Sequence, residues 1–310
     1  MAAKKPVMLM ILDGLGIREF EHGNAVKQAN MPNYQHWMAT RERAVIDASG
    51  EAVGLVPDQM GNSEVGHLNL GAGRVVYQDI TAIDKAIEDG SLIQRPALLK
   101  ALEKVKHKGA KLHLIGLLGT GGVHAHDRHL YALLKLCQQQ GVNPVIHVIT
   151  DGRDTPTNNG IEYLHSLRGL MEKLHVGVIS TVSGRYYAMD RDKRWERTKA
   201  AYNAIAFRNA EHFASAEEAV QASYAKDVTD EFIVPVVIGD DDNLRVTSGD
   251  VLIFYNFRAD RMRQIVKAFT MKGLDGFSES DHIDGLEIIT FTEYAEGLPV
   301  GILFGKETLV

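Results

Sequence analysis

A serine set among small, turn-forming residues can present its hydroxyl and nearby backbone N–H groups to a phosphate. Ser63 has that setting, in Gly61-Asn62-Ser63-Glu64-Val65-Gly66-His67. A serine hydroxyl is a weak nucleophile near neutral pH and needs a base or a metal ion to activate it. Asp13, in Leu12-Asp13-Gly14 at the end of an apolar run, is a carboxylate that could share a divalent cation with such a serine. Taken singly, a solvated serine in a surface turn and an ordinary Asp-Gly turn account for both segments just as well.

Arginines form the second constellation. Arg153 lies in Asp151-Gly152-Arg153-Asp154, Arg185 and Arg191 in Gly184-Arg185-Tyr186-Tyr187-Ala188-Met189-Asp190-Arg191, and Arg258 and Arg261 in Asn256-Phe257-Arg258-Ala259-Asp260-Arg261. The guanidinium fork grips carboxylates and phosphates at two points, so such a set suits a small substrate bearing both groups. Surface ion pairing explains any one of these arginines, but not all of them at the ends of apolar runs. A third segment, Gly121-Gly122-Val123-His124-Ala125-His126-Asp127-Arg128-His129, invites a zinc reading. Its spacing does not match a metallo-β-lactamase ligand set. His126 and His129 are expected in the first turn of a helix, where they could face solvent. His124 is read instead as a substrate contact donating to an anion from a Gly-rich loop.

These residues need elements to hold them. Short apolar runs recur at Val7–Leu12, Leu112–Leu118, Val145–Thr150, Val176–Val182, Val251–Tyr255 and Leu286–Phe291. Continuous runs of this length predict strands buried on both faces. Helical patterns are expected over Asp127–Gln140, Asn159–Leu174, Asp192–Phe207 and Arg261–Met271, and Ser215 with Glu218 reads as a capping box. The alternation predicts an α/β fold with a largely parallel sheet. Asp13, His124, Arg153, Asp154, Arg185 and Arg258 each follow one of the runs, where open α/β sheets bind ligands. The stretch from Gly14 to about Tyr77 carries few strand or helix signals beyond a possible strand at Ala44–Ala48.

The composition sets bounds on function. The chain has 310 residues, 45% hydrophobic and 24% charged, with a formal net charge of −6. No basic excess points to nucleic acid, and no apolar stretch approaches the roughly 20 residues of a membrane span. The apolar start after Lys4-Lys5 lacks a small-residue cleavage site and is not read as a signal peptide. The single cysteine, Cys137, is read as a buried apolar residue, and its count fits a cytoplasmic protein.

Taken together, Ile11-Leu12-Asp13-Gly14, Gln59 to His67, Asp151 to Pro156, Gly184 to Asp192 and Tyr255 to Arg263 closely resemble cofactor-independent (2,3-bisphosphoglycerate-independent) phosphoglycerate mutases. The resemblance runs to about Thr292-Glu293-Tyr294. It implies interconversion of 3-phosphoglycerate and 2-phosphoglycerate in glycolysis and gluconeogenesis, through a phosphoserine intermediate, with two Mn²⁺ ions in the complete enzyme. Ser63 matches the nucleophile and a metal ligand, and Asp13 a further ligand of the same ion. His124, Arg153, Asp154, Arg185, Arg191, Arg258 and Arg261 match the substrate-binding positions. Ala125 stands where the family often has Ser, and Thr157 where it often has a second Pro.

The resemblance also implies the architecture: a partial alkaline-phosphatase-like domain with an inserted α/β substrate-binding domain. Residues 1–77 would be the first piece of the phosphatase-like domain and 78–305 the insertion. Residues 306–310 would begin the return to the first domain. The chain would then be an N-terminal portion of such a mutase, with the other metal ligands and a substrate-binding lysine beyond Val310. The expected partner is the small phosphoglycerate, with no nucleic acid or membrane, and the complete enzyme a monomer. Two other readings stay open: a non-catalytic binding module for phospho-carboxylates, and a phosphomonoesterase of the same superfamily.

Overall fold

The computed structural model describes residues 5–305, apart from the side chains of residues 107 and 108. The chain divides into two compact units, Met1–Tyr77 and Gln78–Val310. The expected return segment, residues 306–310, lies outside the described residues.

The second unit is built on one eight-stranded sheet. Its strands are β1 Leu112–Leu118, β2 Val145–Thr150, β3 Val178–Gly184, β4 Glu211–Phe213, β5 Val236–Ile238, β6 Val251–Phe254, β7 Glu287–Thr292 and β8 Gly301–Phe304. Their order across the sheet is β4-β5-β3-β2-β1-β6-β7-β8. Every neighbouring pair is parallel except β3 with β5. All residues of β1, β2 and β6 are buried, as their uninterrupted apolar sequences require of central strands. The chain leaves β1 toward β2 and β3 on one side and later fills β6, β7 and β8 on the other. The β1/β6 pair is therefore the point where the winding reverses, the place where open α/β sheets bind their ligands.

The expected helices form with small shifts at their ends. Asp127–Gln140 is observed as expected, with Leu130, Leu133, Leu134 and Cys137 buried at helical spacing and Gly141 closing it in the left-handed conformation. The helix expected from Asp192 starts at Trp195, after a four-residue turn of helix at Arg185–Ala188. That expected from Arg261 spans Arg263–Thr270. Ser215 accepts from Glu218 N as a capping box requires, but the Glu218 carboxylate reaches Ala214 N instead of the cap's own N–H.

The strand expected at Val176–Val182 forms at Val178–Gly184, because Gly177 has a φ of +92° and breaks the extended path. A register shift between Ile146 and His147 then places His147 beside Thr181 and Thr150 beside Gly184.

The first unit differs from expectation. Val7–Leu12 and Ala44–Ala48 are not strands, and no strand occurs among the described residues of this unit. A strand is defined by hydrogen bonds to a neighbour, and neither run has one alongside. The side chains of Val7 to Leu12 are exposed, Met8 by 82%. What forms instead is helical: Pro32–Thr40, Ser63–Ala72 and the short Ala25–Gln28. The buried apolar side chains of this unit, among those described, are Val53, Leu55 and Val65.

Candidate active site

In the first unit Ser63 is not in a turn. It is the first residue of the helix Ser63–Ala72, and Asn62 is its cap, accepting from Val65 N at 3.1 Å. The opening N–H groups of a helix have no intrahelical acceptor and favour an anion beside them. Gly61 is required by close approach, since a Cβ there would collide with the Ala48 carbonyl. The Ser63 hydroxyl donates to Asp13 Oδ2 at 2.7 Å, joining residues that the sequence places fifty positions apart. One turn along the helix, His67 Nδ1 lies 3.1 Å from Ser63 Oγ and 2.8 Å from its carbonyl oxygen. The sequence reading did not single out His67, although an i, i+4 spacing from Ser63 puts it on the same helix face. Asp13, Ser63 and His67 line an open cleft of about 1050 Å³ within this unit.

In the second unit the expected anion-binding residues gather at the carboxyl ends of β1, β2, β3 and β6. Two main-chain ties hold the β1 and β6 loops together. The His124 carbonyl accepts from Phe257 N at 2.9 Å and Arg258 N at 3.2 Å. Asn256, fully buried, accepts from Leu117 N at 2.9 Å.

Arg185, only 2% exposed, leaves β3 and donates through Nη1 to Asp151 Oδ1 and Asp154 Oδ2, each at 2.6 Å. Asp151 Oδ1 also accepts from the N–H groups of Arg153 and Asp154, both at 3.1 Å, which folds the β2 loop around the guanidinium. Gly184 must be glycine here. A Cβ would meet the Glu231 carbonyl and Ile233 N of the segment packed over the β3 end.

The remaining side chains meet at Asp260. Arg191 Nη1 donates to its Oδ2 at 2.8 Å, Arg258 Nε lies 3.2 Å from its Oδ1, and His124 Nδ1 lies 3.6 Å from that same oxygen. On the other side of the ring, His124 Nε2 lies 3.8 Å from Asp154 Oδ2. Arg261 Nη1 reaches the Met189 carbonyl at 3.4 Å. Arg153 stands at the edge, more than half exposed, 3.4 Å from Glu231.

The electrostatics reflect this crowding. Burial, then the Arg185 charge, push the His124 imidazole down to about 4, so the ring is neutral near pH 7. Burial and the neighbouring Arg185, Arg191 and Arg153 lower Arg261. The carboxyl of Asp154 is held below its ordinary value despite partial burial, by Arg185, His124 and Arg153. That of Asp260 is held down likewise by Arg191, Arg258 and His124. Several guanidiniums, a neutral imidazole and a few carboxylates at one strand-end crevice make a site for a small, multiply charged anion.

Asp151 and Asp260 were missed as members of this site. Each stands in a quoted motif, but only convergence from different strands reveals its partners. The histidine segment also differs from expectation. His126 is the cap of its helix, while His129 is fully buried with Nε2 2.9 Å from Asp84 Oδ1, not facing solvent. Among the described residues no group of three or more His, Cys, Asp or Glu side chains is arranged to hold a metal ion. No described helix is long and apolar enough to cross a membrane.

The fold and site define an α/β protein with arginines, a histidine and carboxylates gathered at the switch point of a mainly parallel sheet. The profile of the BPG-independent PGAM N-terminus family matches residues 83–296, and the chain belongs to that family. It is 47% identical over 308 residues to proteins named 2,3-bisphosphoglycerate-independent phosphoglycerate mutase from Staphylococcus epidermidis (strain ATCC 35984) and Staphylococcus aureus (strain MRSA252). Those alignments cover 99% of this chain and 61% of each relative, so the chain spans less than two thirds of their length. A solved structure of Leishmania mexicana phosphoglycerate mutase, determined at low cobalt concentration, superposes with a TM-score of 0.74 at 29% identity. It covers 92% of this chain and 55% of that one.

Proposed function

We propose that this chain carries the nucleophile and the substrate grip of a phosphoglycerate mutase that interconverts 3-phosphoglycerate and 2-phosphoglycerate. The observation that carries the reading is the convergence of His124, Asp154, Arg185, Arg191 and Arg258 from four strand ends onto one crevice. In this reading residues 1–77 are a piece of a phosphatase-like domain that offers Ser63. Residues 78–305 are the domain that holds the glycerate, and the setting is the cytoplasm.

The chemistry is a double phosphoryl transfer. Ser63 Oγ attacks phosphorus in line as its proton leaves toward the nearest acceptor, Asp13 Oδ2 at 2.7 Å. The bond from phosphorus to the glycerate oxygen breaks. That oxygen takes the proton that the other glycerate hydroxyl gives up as it turns nucleophile, while Asp13 keeps the Ser63 proton to return it at the second transfer. The other glycerate hydroxyl then attacks the phosphoserine, and the Ser63 hydroxyl is restored. The helix opening at Ser63 offers N–H groups suited to phosphoryl oxygens, and the arginines of the second unit suit the carboxylate and phosphate of a glycerate. The Asp13 carboxylate and Ser63 hydroxyl are oxygen donors close enough to share a divalent cation, and they fit as two ligands of a Mn²⁺ site that needs more. Bound there, such an ion would lower the serine pKa and offset charge on the phosphoryl oxygens.

The test is calorimetric titration of 3-phosphoglycerate into the chain, paired with an assay for 2-phosphoglycerate in the presence of Mn²⁺. The chain is expected to bind 3-phosphoglycerate one to one, at least about tenfold tighter than glycerate. Any transfer measured is expected to vanish in Ser63→Ala while binding persists. Failure to bind 3-phosphoglycerate would sink the reading. Binding without turnover would make the chain by itself a phospho-carboxylate binding module. Release of free phosphate instead of isomer would mark a phosphomonoesterase.

A further inference from the structure

Asp260 stands among the grip residues yet has no part in the reading above. We propose that it is a positioning residue: a carboxylate built into the grip that aligns Arg191 and Arg258 and sets the ring orientation and tautomer of His124. This rests on the phosphoglycerate reading for its ligand, but its geometry is independent of it.

Asp260 is the place where three strand ends meet. It faces His124 from the β1 loop and Arg191 from the segment after β3, and it shares the β6 loop with Arg258. From Arg258 it takes the Nε edge at 3.2 Å and from Arg191 a single Nη1 at 2.8 Å. A guanidinium has five N–H donors in a fixed fork. Each arginine thus keeps further N–H groups for an incoming oxyanion while its plane is held in register.

The His124 contact is the more informative one. His124 Nδ1 and Asp260 Oδ1 are both buried atoms that make no hydrogen bond, Oδ1 having only its ion-pair contact with Arg258 Nε at 3.2 Å, and the two lie 3.6 Å apart. Buried polar atoms are seldom left unmatched, and a shift of about half an ångström would bring these two within hydrogen-bond range. A carboxylate can only accept, so the proton on this edge of the ring belongs on Nδ1. That leaves Nε2 to address the ligand.

The groups facing the imidazole are Asp154 from the β2 loop, Arg185 from β3, and Asp260 and Arg258 from the β6 loop. Arg185 and Arg258 oppose a positive ring, whereas Asp154 and Asp260 favour it. A phosphoglycerate anion at Nε2 adds negative charge and tips this balance. His124 then takes up a proton, donating Nδ1–H to Asp260 and Nε2–H to the ligand. Ligand affinity in the wild type is therefore expected to fall as pH rises through the bound-state pKa of His124.

The experiment combines two readouts on the full 310-residue chain. The first is the ¹⁵N chemical-shift pattern of the His124 ring near pH 7, which is expected to show the Nδ1–H tautomer. Finding the Nε2–H tautomer would overturn the proposal without any variant. The second is titration of 3-phosphoglycerate across pH 6–8, in buffers of different ionisation heat, for wild type, Asp260→Asn and Asp260→Glu. Titration of the ligand's own phosphate is common to all three, so differences between them report the protein. Asp260→Asn is expected to bind about tenfold more weakly, with less proton uptake and a flatter pH profile. Asp260→Glu is expected to restore the profile in part. An Asp260→Asn protein with wild-type affinity and pH profile overturns the proposal. A wild type that does not bind the ligand would instead overturn the functional reading, and the tautomer measurement would still judge this one.

Discussion

The two units hold their functional residues in contrasting ways. In the second, Arg185 and Asp151 are each 2% exposed, and the loops that carry the grip leave β1, β2 and β6, whose every residue is buried, and β3, buried from Ser180 to Gly184. In the first, Ser63 and Asp13 lie at the wall of an open cleft, in a unit whose described buried apolar side chains are Val53, Leu55 and Val65. The serine is aimed by local devices: a helix start, an Asn cap and a glycine against a carbonyl. The arginines are aimed by a sheet. The serine's orientation is thus set mainly by its own helix start, whereas a grip for a multiply charged anion takes loops from several strands.

Hydrogen exchange should give the largest separation between the units. Amides of β1, β2 and β6 are expected to exchange only on global opening, while those of Val7 to Leu12, which lack a strand partner, exchange almost freely. The difference in protection should exceed roughly a thousandfold. Similar protection in the two places would break the contrast.

Truncating buried and exposed members of the sites sharpens it. Arg185→Met strands the Asp151 and Asp154 carboxylates and should cost about 3–5 kcal/mol in urea unfolding. Ser63→Ala, at an exposed helix start, should stay within about 0.5 kcal/mol. Equal losses for the two variants would show that the first unit is as tightly coupled to folding as the second.

Acid should give the smallest effect, again through the second unit. Burial lowers the pKa of His113, His129 and His147, which stand neutral in contact with Asp250, Asp84 and Thr181. Once unfolded they bind protons below about pH 6.5, so between that value and their lower folded values the unfolded chain holds more protons. Stability is therefore complete above about pH 6.5 and declines as pH falls. Scanning calorimetry should show the melting temperature dropping by several degrees from pH 7 to pH 5. An unchanged or rising value would mean that these rings are already charged at neutrality.

Much of this was legible in the sequence because it is written within single elements. β1 and β2 have the expected bounds, and β6 and β7 shift by only a residue at their ends, since central strands need unbroken apolar runs. The helix Asp127–Gln140 announces itself by spacing and by the glycine after it. β4, β5 and β8 went unnoticed, being only three or four residues long, too short for a period to show. Val7–Leu12 shows the converse: its composition matches β1, but composition supplies no neighbour.

The sequence by itself determined the family, the order of strands and helices along most of the second unit, and the residue types for phosphoryl chemistry. Each is a property of the chain read over a few consecutive residues. Only the tertiary structure decided that β6 lies beside β1, that Arg185 is sealed between Asp151 and Asp154, and that Asp260 faces His124 across two loops. Those pairings join residues 31 to more than 130 positions apart, and strand order and loop convergence bring them together. Local spacing carries no record of that.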